Sequence, residues 1–504
     1  MPKPKSFLKE TKPKTKKKAA QKAPETADEF LAVGVEQEEA GEKWRAGDAA
    51  KSMRFFMRAI ATYDDGLNKH PQAFDLAYNK ARVQYEITQH PKLAAQLPAP
   101  LTEVLNITLR SHRVALSLDQ DNADVLFNTA QVLTSLAEIV TDTKHPSDQQ
   151  LNQALKYLQE AIEFFQRCLV IQEMRYSETQ EHIKLMESGD ISQPSTELQA
   201  EHTQESSQDT DESKCSDEQQ EQWVAVVEPV TKDTLVDTAV AQLDTLTALC
   251  NLLTFDPGVG LGWVEESAPD LLQQKISTYA EGSCRHYEAS LARAKFICAL
   301  NEVLYRSERI DIETYHAEIV RAFGPELDLS ADPGGLCSQA DALTSFNTAA
   351  TDLPPSYDDE IFARSLVLRW QSLSTALDAL TKSSKLPDAD NLPKIHLARG
   401  DVEMNRWRLG TSPWEYALAQ QNAATLLRNA QTYYRGAAAL ARRDGSADEQ
   451  RDGTCKEALA AAFEGQKDKL QQLKATALKE LMIVAEDVVD DGWVSPGDMQ
   501  ALLS

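Results

Sequence analysis

Long hydrophobic runs, strand-like alternation and frequent turn residues are all scarce in this sequence. Only 20 Gly and 21 Pro occur in 504 residues, which leaves room for long uninterrupted helices. Aliphatic stretches that alternate at period two between turn residues are nearly absent, and this argues against a sheet. No window holds 18 consecutive apolar residues, so the sequence offers no membrane-spanning segment. The first nine residues lack the apolar core of a signal peptide, and we expect none.

Clusters of metal-binding or catalytic side chains are also missing. The seven cysteines include no Cys-x-x-Cys pair, a pattern that favours reduced thiols in a cytosolic or nuclear protein. The nine histidines form no His-x-x-x-His or His-Glu-x-x-His motif, and Cys284-Arg285-His286 lacks a second ligand pair at zinc spacing. The glycine-rich stretch 256–263 lacks the Lys-Ser/Thr pair of a phosphate-binding loop. The sequence therefore predicts no catalytic residue, no cofactor and no metal.

Acidic residues dominate the charge, but not evenly. Residues 1–24 hold nine Lys and one acid, Glu10, a balance of +8, so the other 480 residues carry −34 within a net charge of −26. A surface this acidic repels nucleic acid and attracts basic partners. The alternative interpretation is that the charge only keeps a large helical protein in solution, and both remain open at this point.

Residues 1–26 form a Lys-rich tail that cannot bury apolar surface, so we expect it to be disordered. Its clustered lysines make a candidate nuclear import signal: Lys12, Lys14, Lys16, Lys17 and Lys18. The same lysines could instead contact RNA weakly, or serve only as a solubilising tail. The import interpretation predicts a protein of the nucleus and cytoplasm.

The rest of the chain divides into two helical regions around an acidic segment. Residues 27–185 and 222–504 consist mainly of good helix formers in amphipathic stripes. Residues 186–221 are rich in Ser, Gln, Glu, Thr and Asp and poor in large aliphatics, so we expect a flexible acidic loop. Within it, Ser206–Ser213 places hydroxyls before acids, which is typical of an acidophilic kinase substrate or of an inert spacer.

Small and aromatic residues recur at helical spacing. Four segments share a small residue, an aromatic four positions later and a second small residue seven positions later: Ser52, Phe56 and Ala59; Ala161, Phe165 and Cys168; Ala342, Phe346 and Ala349, with Pro354 following; and Ala430, Tyr434 and Ala437. Two further segments, Phe74–Ala81 and Ala123–Ala130, place an alanine at the eighth position of a new helix.

These segments resemble the tetratricopeptide repeat family, whose unit is a hairpin of two antiparallel helices about 34 residues long. The resemblance assigns the four aromatic segments to the second helix of a hairpin and the other two to the first helix. It implies an all-α fold, an α-solenoid in which hairpins stack to bury their apolar faces. An Ala-rich helical bundle could scatter single matches of this kind. The starts of successive hairpins at Val33, Phe74 and Ala123 are 41 and 49 residues apart, so the repeats are degenerate.

The resemblance also indicates where ligands would bind. In the subfamily that grips the acidic tails of heat-shock chaperones, Lys, Asn and Arg line the first helices. The equivalent positions here are Gln37, Gly41, Asn79, Asp124 and Asn128, of which only Asn79 fits, so we do not expect that ligand. The first helices still face the groove of such a solenoid, which makes a set of groove residues candidates for client binding: Asn79, Arg82, Asn128 and Gln131.

Two functions from different classes follow. The first is a non-enzymatic scaffold or dedicated assembly chaperone that holds a basic client, for example a ribosomal or nuclear protein, on an acidic surface. The second is a structural subunit of a large nuclear complex such as the RNA-processing or transcription machinery. Neither requires a membrane, and nucleic acid would be contacted at most weakly through the tail.

Overall fold

Helices account for the regular structure throughout the described chain. The computed structural model describes residues 23–143, 145–187, 229–256, 258, 260–355 and 360–504. Its helices are α1 Ala27–Arg45, α2 Ala49–Lys69, α3 Phe74–Gln89, α4 Pro91–Ala94, α5 Leu101–Leu118, α6 Ala123–Thr141, α7 Asp148–Glu187, α8 Lys232–Leu253, α9 Gly260–Asp270, α10 Ile276–Ala280, α11 His286–Arg306, α12 Ile312–Ala322, α13 Pro333–Asp352, α14 Glu360–Ser383, α15 Leu392–Arg408, α16 Ala417–Asp444, α17 Ala447–Phe463, α18 Asp468–Thr476, α19 Leu478–Asp490 and α20 Pro496–Leu503. A π-helical turn, Leu271–Lys275, joins α9 to α10. Within these ranges no residue is in a β-strand, and the predicted all-α class is confirmed.

The chain separates into two compact units, residues 1–139 and 140–504, and α6 crosses the division. In the first unit α1 packs along α2, α2 against α3, and α3 against α5. Thr26 and Glu29 form a capping box that starts α1, and Asp48 caps the start of α2. Consecutive helices therefore pack in pairs, as in an α-solenoid.

The α1–α2 pair fits closely because glycines on α1 face aromatic rings on α2. A Cβ atom added at Gly41 would lie 3.1 Å from the Phe56 ring, and one added at Gly34 would lie 2.1 Å from Tyr63. The two contacts lie seven residues apart on each antiparallel helix, so they stack along the same seam. Phe56 and Tyr63 are both fully buried.

In the second unit the same serial packing continues. α7 packs against α8, α8 against α11, α13 against α14, α15 against α16, and α16 against α17. Residues 188–228, which separate α7 from α8, lie outside the described chain, and α7 and α8 nevertheless belong to one unit. The expected start of the acidic loop, residue 186, lies two residues before that gap, and its expected end, residue 221, lies within it.

The four aromatic residues of the repeat pattern are core residues. Phe56, Phe165, Phe346 and Tyr434 are each at most 1% exposed. The assignment of Phe346 was wrong: it lies on α13, whose most extensive partner is the following helix α14, so α13 is the first helix of its pair. The same spacing of small and aromatic residues fits either helix of a pair, because both are buried along one seam.

Two predicted features fall on residues outside the described chain. The candidate import lysines, Lys12 to Lys18, belong to residues 1–22, and nearly all of the predicted acidic loop belongs to residues 188–228. In the part that is described, no helix has both the length and the apolar content needed to cross a membrane.

Candidate client-binding surface

The four predicted groove residues lie on two helices, two on each. Asn79 and Arg82 are three residues apart on α3, and Asn128 and Gln131 have the same spacing on α6, so each pair shares a helix face. All four side chains are half-buried. The opposite face of α3 carries Ala77 and Ala81 into the core, which leaves the polar pair on the rim of the packed layer.

Arg82 is held by carboxylates rather than left free. Its guanidinium pairs with Glu38 on α1 and, at 3.4 Å, with Glu86 one turn further along α3. The Asn79 side-chain oxygen accepts a hydrogen bond from Arg82 Nη2 at 3.2 Å, while Asn79 Nδ2 donates to the Asp75 carbonyl oxygen at 2.8 Å. The structure thus brings Asn79 and Arg82 together, and it places both within an internal network.

That network extends to the end of α1. Arg45 pairs with Glu42 at 2.5 Å and with Glu86 at 3.0 Å, and Tyr63 donates a hydrogen bond to Glu38. The resulting α1–α3 charge cluster consists of three carboxylates and two guanidiniums: Glu38, Glu42, Arg45, Arg82 and Glu86. Its formal charge is negative, because two cations are shared among three acids.

Burial makes it costly for the carboxylates of the cluster to stay ionised with too few cations beside them. The pKa of Glu86 is raised, first by burial and then by the neighbouring Glu42, and Arg82 and Arg45 only partly oppose the rise. Burial works against the charge of Arg82, but Glu38 and Glu86 outweigh it and hold the pKa of Arg82 above its usual value. Tyr63 is kept neutral, since burial and the adjacent Glu38 both raise its pKa. An additional cation near Glu42 and Glu86 would therefore stabilise the ionised carboxylates.

Asn128 on α6 is linked to α3 by a tyrosine. Its Nδ2 donates to the hydroxyl oxygen of Tyr78 at 3.3 Å, and a second bridge joins Tyr85 Oη and Ser135 Oγ at 3.1 Å. Burial raises the pKa of Tyr85 to about 12, so this hydroxyl stays protonated. Gln131 lies nearby on α6 and is half-buried. Two side-chain hydrogen bonds thus connect the polar face of α6 to that of α3. Neither of them involves a residue of the α1–α3 charge cluster.

Sequence reasoning did not identify the carboxylates of the cluster. At the two clamp positions on α1, Gln37 accepts a hydrogen bond from Thr62 at 3.1 Å, and Gly41 lies beneath Phe56. The acids one residue further along, Glu38 and Glu42, face α3 instead. Their i, i+4 spacing is visible in the sequence, but their pairing with α3 depends on how the two helices pack.

The described residues contain no group of three or more His, Cys, Asp or Glu side chains placed to hold a metal ion. What the arrangement can do is bind positive charge. Carboxylates held by hydrogen bonds and ion pairs on consecutive first helices form a rigid surface for Lys or Arg side chains.

Comparison with known proteins gives a limited match. No family model matches the chain. The UPF0656 protein C926.02 of Schizosaccharomyces pombe is 33% identical over 156 residues, which cover 31% of this chain and 34% of that protein. The chain therefore spans about a third of the length of the curated relative it matches, and the relative's name specifies no partner.

Among solved structures, one similar chain is a circular tandem repeat protein with novel repeat topology and enhanced subunit contact surfaces. It is 13% identical, with a TM-score of 0.29 over 93% of this chain and 99% of that one. That score is too low to relate the two folds, so the helical-repeat architecture rests on the helix pairing within this chain.

Proposed function

We propose that this protein is a non-enzymatic binding scaffold or dedicated assembly chaperone that holds a basic client protein on its acidic helical surface. The observation that carries the proposal is the α1–α3 charge cluster, in which three carboxylates share two guanidiniums. A client Lys or Arg would supply the missing cation. The repeats are proposed to be of the tetratricopeptide type, supported by the buried aromatic residues at the repeat positions and by the small residues beside them, which are buried apart from the partly buried Ala342.

Neighbouring acids extend the surface beyond the cluster. Glu36 and Glu39 are exposed on α1, and Asp124 is exposed at the start of α6. Residues 23–139 contain 17 acids and 11 Lys or Arg, so the whole unit attracts a basic partner as it approaches. The acidic surplus would attract a basic client over a distance, and the carboxylates of the cluster would then pair with its Lys or Arg side chains.

Other partners fit these residues less well. Gln37 and Gly41, at the positions where a carboxylate clamp needs cations, provide none, so the acidic tails of heat-shock chaperones are not proposed as ligands. Nucleic acid would be contacted at most weakly, through the Lys-rich tail. Lys12 to Lys18 support a proposal of nuclear as well as cytoplasmic residence.

The second candidate, a structural subunit of a large nuclear complex, is favoured by one specific observation. α19 buries Leu481, Val484 and Val488 but exposes Leu478 and Met482, which are 53% and 50% exposed. The outward face of a surface helix ordinarily carries polar residues. Exposed apolar residues on it suit a stable interface.

One experiment separates the two. The tagged full-length chain is used to capture partners from a cell lysate at about 50 mM and about 300 mM salt, and the recovered proteins are identified by mass spectrometry. The scaffold proposal predicts strongly basic proteins at low salt that are largely lost at high salt, because exposed charge pairs are screened. Stoichiometric, non-basic partners that persist at high salt would favour the subunit instead.

A further inference from the structure

A row of cations interleaved with apolar side chains runs along one side of α2. Lys51, Arg54, Phe55 and Arg58 have i, i+3, i+4, i+7 spacing and so lie on one helix face. Arg54 and Arg58 are exposed, Lys51 and Phe55 are half-buried, and the adjacent Met57 is 40% exposed. These five residues are called the α2 basic face.

The cations of this face lack acidic partners. Among the described residues, no carboxylate oxygen lies within 4.0 Å of a side-chain nitrogen of Lys51, Arg54 or Arg58. Elsewhere in the same unit, Arg45 and Arg82 are each paired twice. In a chain with a net charge of −26, three unpaired cations within two turns of helix concentrate positive charge at one place. That charge is available to an external ligand.

Aromatic rings hold two of these cations in place. Lys51 Nζ lies 3.1 Å from the centre of the Trp44 ring, and the Arg58 guanidinium carbon lies 5.6 Å from the centre of the Phe55 ring. Cation–π contacts of this kind reduce the freedom that the side chains lose when they bind a ligand. They also cover ring faces on which a nucleotide base would stack, and this disfavours single-stranded nucleic acid as the ligand.

We propose that the α2 basic face binds an acidic peptide segment of a partner protein. Carboxylates would pair with Lys51, Arg54 and Arg58, and an apolar side chain would pack on Met57 and Phe55. Lys51 and Arg58 are separated by about 10 Å along the helix axis. Acids three residues apart in a peptide of polyproline II conformation share one face and are separated by about 9 Å. This site takes the charge opposite to that of the proposed basic client, so it adds a second kind of partner.

The test is a fluorescence-anisotropy titration of the full-length protein with a labelled peptide of about ten residues composed of Glu, Asp, Leu and Phe. To reduce competition from the Lys-rich tail, all forms carry Gln at five of its nine lysines: Lys12, Lys14, Lys16, Lys17 and Lys18. The variant is Arg54→Glu/Arg58→Glu. Its matched control is Lys92→Glu/Arg110→Glu, which makes the same charge change at exposed positions of the same unit.

We expect the α2 variant to weaken peptide binding at least about tenfold and the control to weaken it less than about twofold. Arg54→Lys/Arg58→Lys, which keeps the charge, should retain most of the affinity. Equal losses in variant and control, or no loss in either, would overturn the proposal. So would tighter binding of a labelled oligouridylate than of the peptide at the same salt concentration, because the face would then be a nucleic-acid site. Circular dichroism spectra that match the parent confirm that the variants are folded.

Discussion

The Arg82 side chain carries a positive charge that two carboxylates already compensate. The sequence predicts it as a groove residue, and its pairing with Glu38 and Glu86 changes what a substitution there would report. Reversing its charge would put a third acid beside the buried Glu38 and the half-buried Glu86 and destabilise the packing of α1 against α3. The acids Glu42 and Glu86 are better probes of client binding, because Glu→Gln preserves shape and hydrogen bonding.

His112 provides a residue-scale prediction about pH. It is fully buried on α5, and burial lowers its pKa to about 4, with a smaller opposing effect from the Ala81 backbone. In the unfolded chain a histidine has a pKa of about 6.5. Keeping His112 neutral in the folded state therefore costs no free energy of unfolding above pH 6.5, where the unfolded chain is neutral at this residue as well. As the pH falls from 6.5 through 4, the unfolded chain takes up a proton that the folded protein does not, and the free energy of unfolding decreases by about 3 kcal/mol in total.

His112→Leu removes this titration. Urea denaturation followed by circular dichroism should show a constant difference in unfolding free energy between parent and variant from pH 8 to pH 7. Below that, the difference should move in favour of the variant, by about 3 kcal/mol at the acidic limit. Parallel pH profiles for the two proteins would contradict a buried neutral histidine.

In two helix pairs, one in each compact unit, a glycine lies opposite an aromatic ring. Gly34 faces Tyr63 in the α1–α2 pair, and Gly400 faces Tyr434 in the α15–α16 pair. In each case the missing Cβ makes room for the ring, and the tyrosine hydroxyl then donates to an acid, Glu38 or Asp401. The two helices of each pair can therefore approach closely, and the buried tyrosine hydroxyl still has a hydrogen-bond partner.

Gly400→Ala should therefore be destabilising even though alanine favours helix. Its Cβ would lie 2.3 Å from the Tyr434 ring, which is fully buried and donates to Asp401 at 2.7 Å. We expect a loss of about 2 kcal/mol, seen as a lower urea midpoint. Gly262→Ala on α9 is the control, because no atom lies within 4 Å of its added Cβ; it should be neutral or stabilising. Equal midpoints for the two variants would show that the ring moves aside freely.

At this scale the sequence predicted a good part of the fold. Helix periodicity and buried aromatic positions follow from local spacing, as Phe56 and Tyr434 show. The order of helices within a pair does not, and α13 was assigned wrongly because its spacing suits either position. The charge cluster was missed for a related reason, since Glu38 and Arg82 are 44 residues apart and meet only when α1 and α3 pack.

Across the whole molecule, the acidic surplus is unevenly placed. Residues 188–228, outside the described chain, hold 11 acids and one Lys, whereas residues 23–139 hold 17 acids and 11 Lys or Arg. The first unit is therefore mixed in charge, with an acid-rich cluster between α1 and α3 and a basic face on α2. Such separation of charge suits a scaffold that discriminates between partners by sign.

The most direct measurement is the affinity of a basic client, obtained by lysate capture, for two full-length variants with the same loss of charge. Glu42→Gln/Glu86→Gln alters the α1–α3 charge cluster, and Asp388→Asn/Asp390→Asn alters the exposed turn between α14 and α15. The account predicts that the first weakens binding about tenfold at low salt, equivalent to about 1.4 kcal/mol, and that the second changes it less than about twofold. Equal affinities for both variants and the parent would contradict the assignment of the client to this surface.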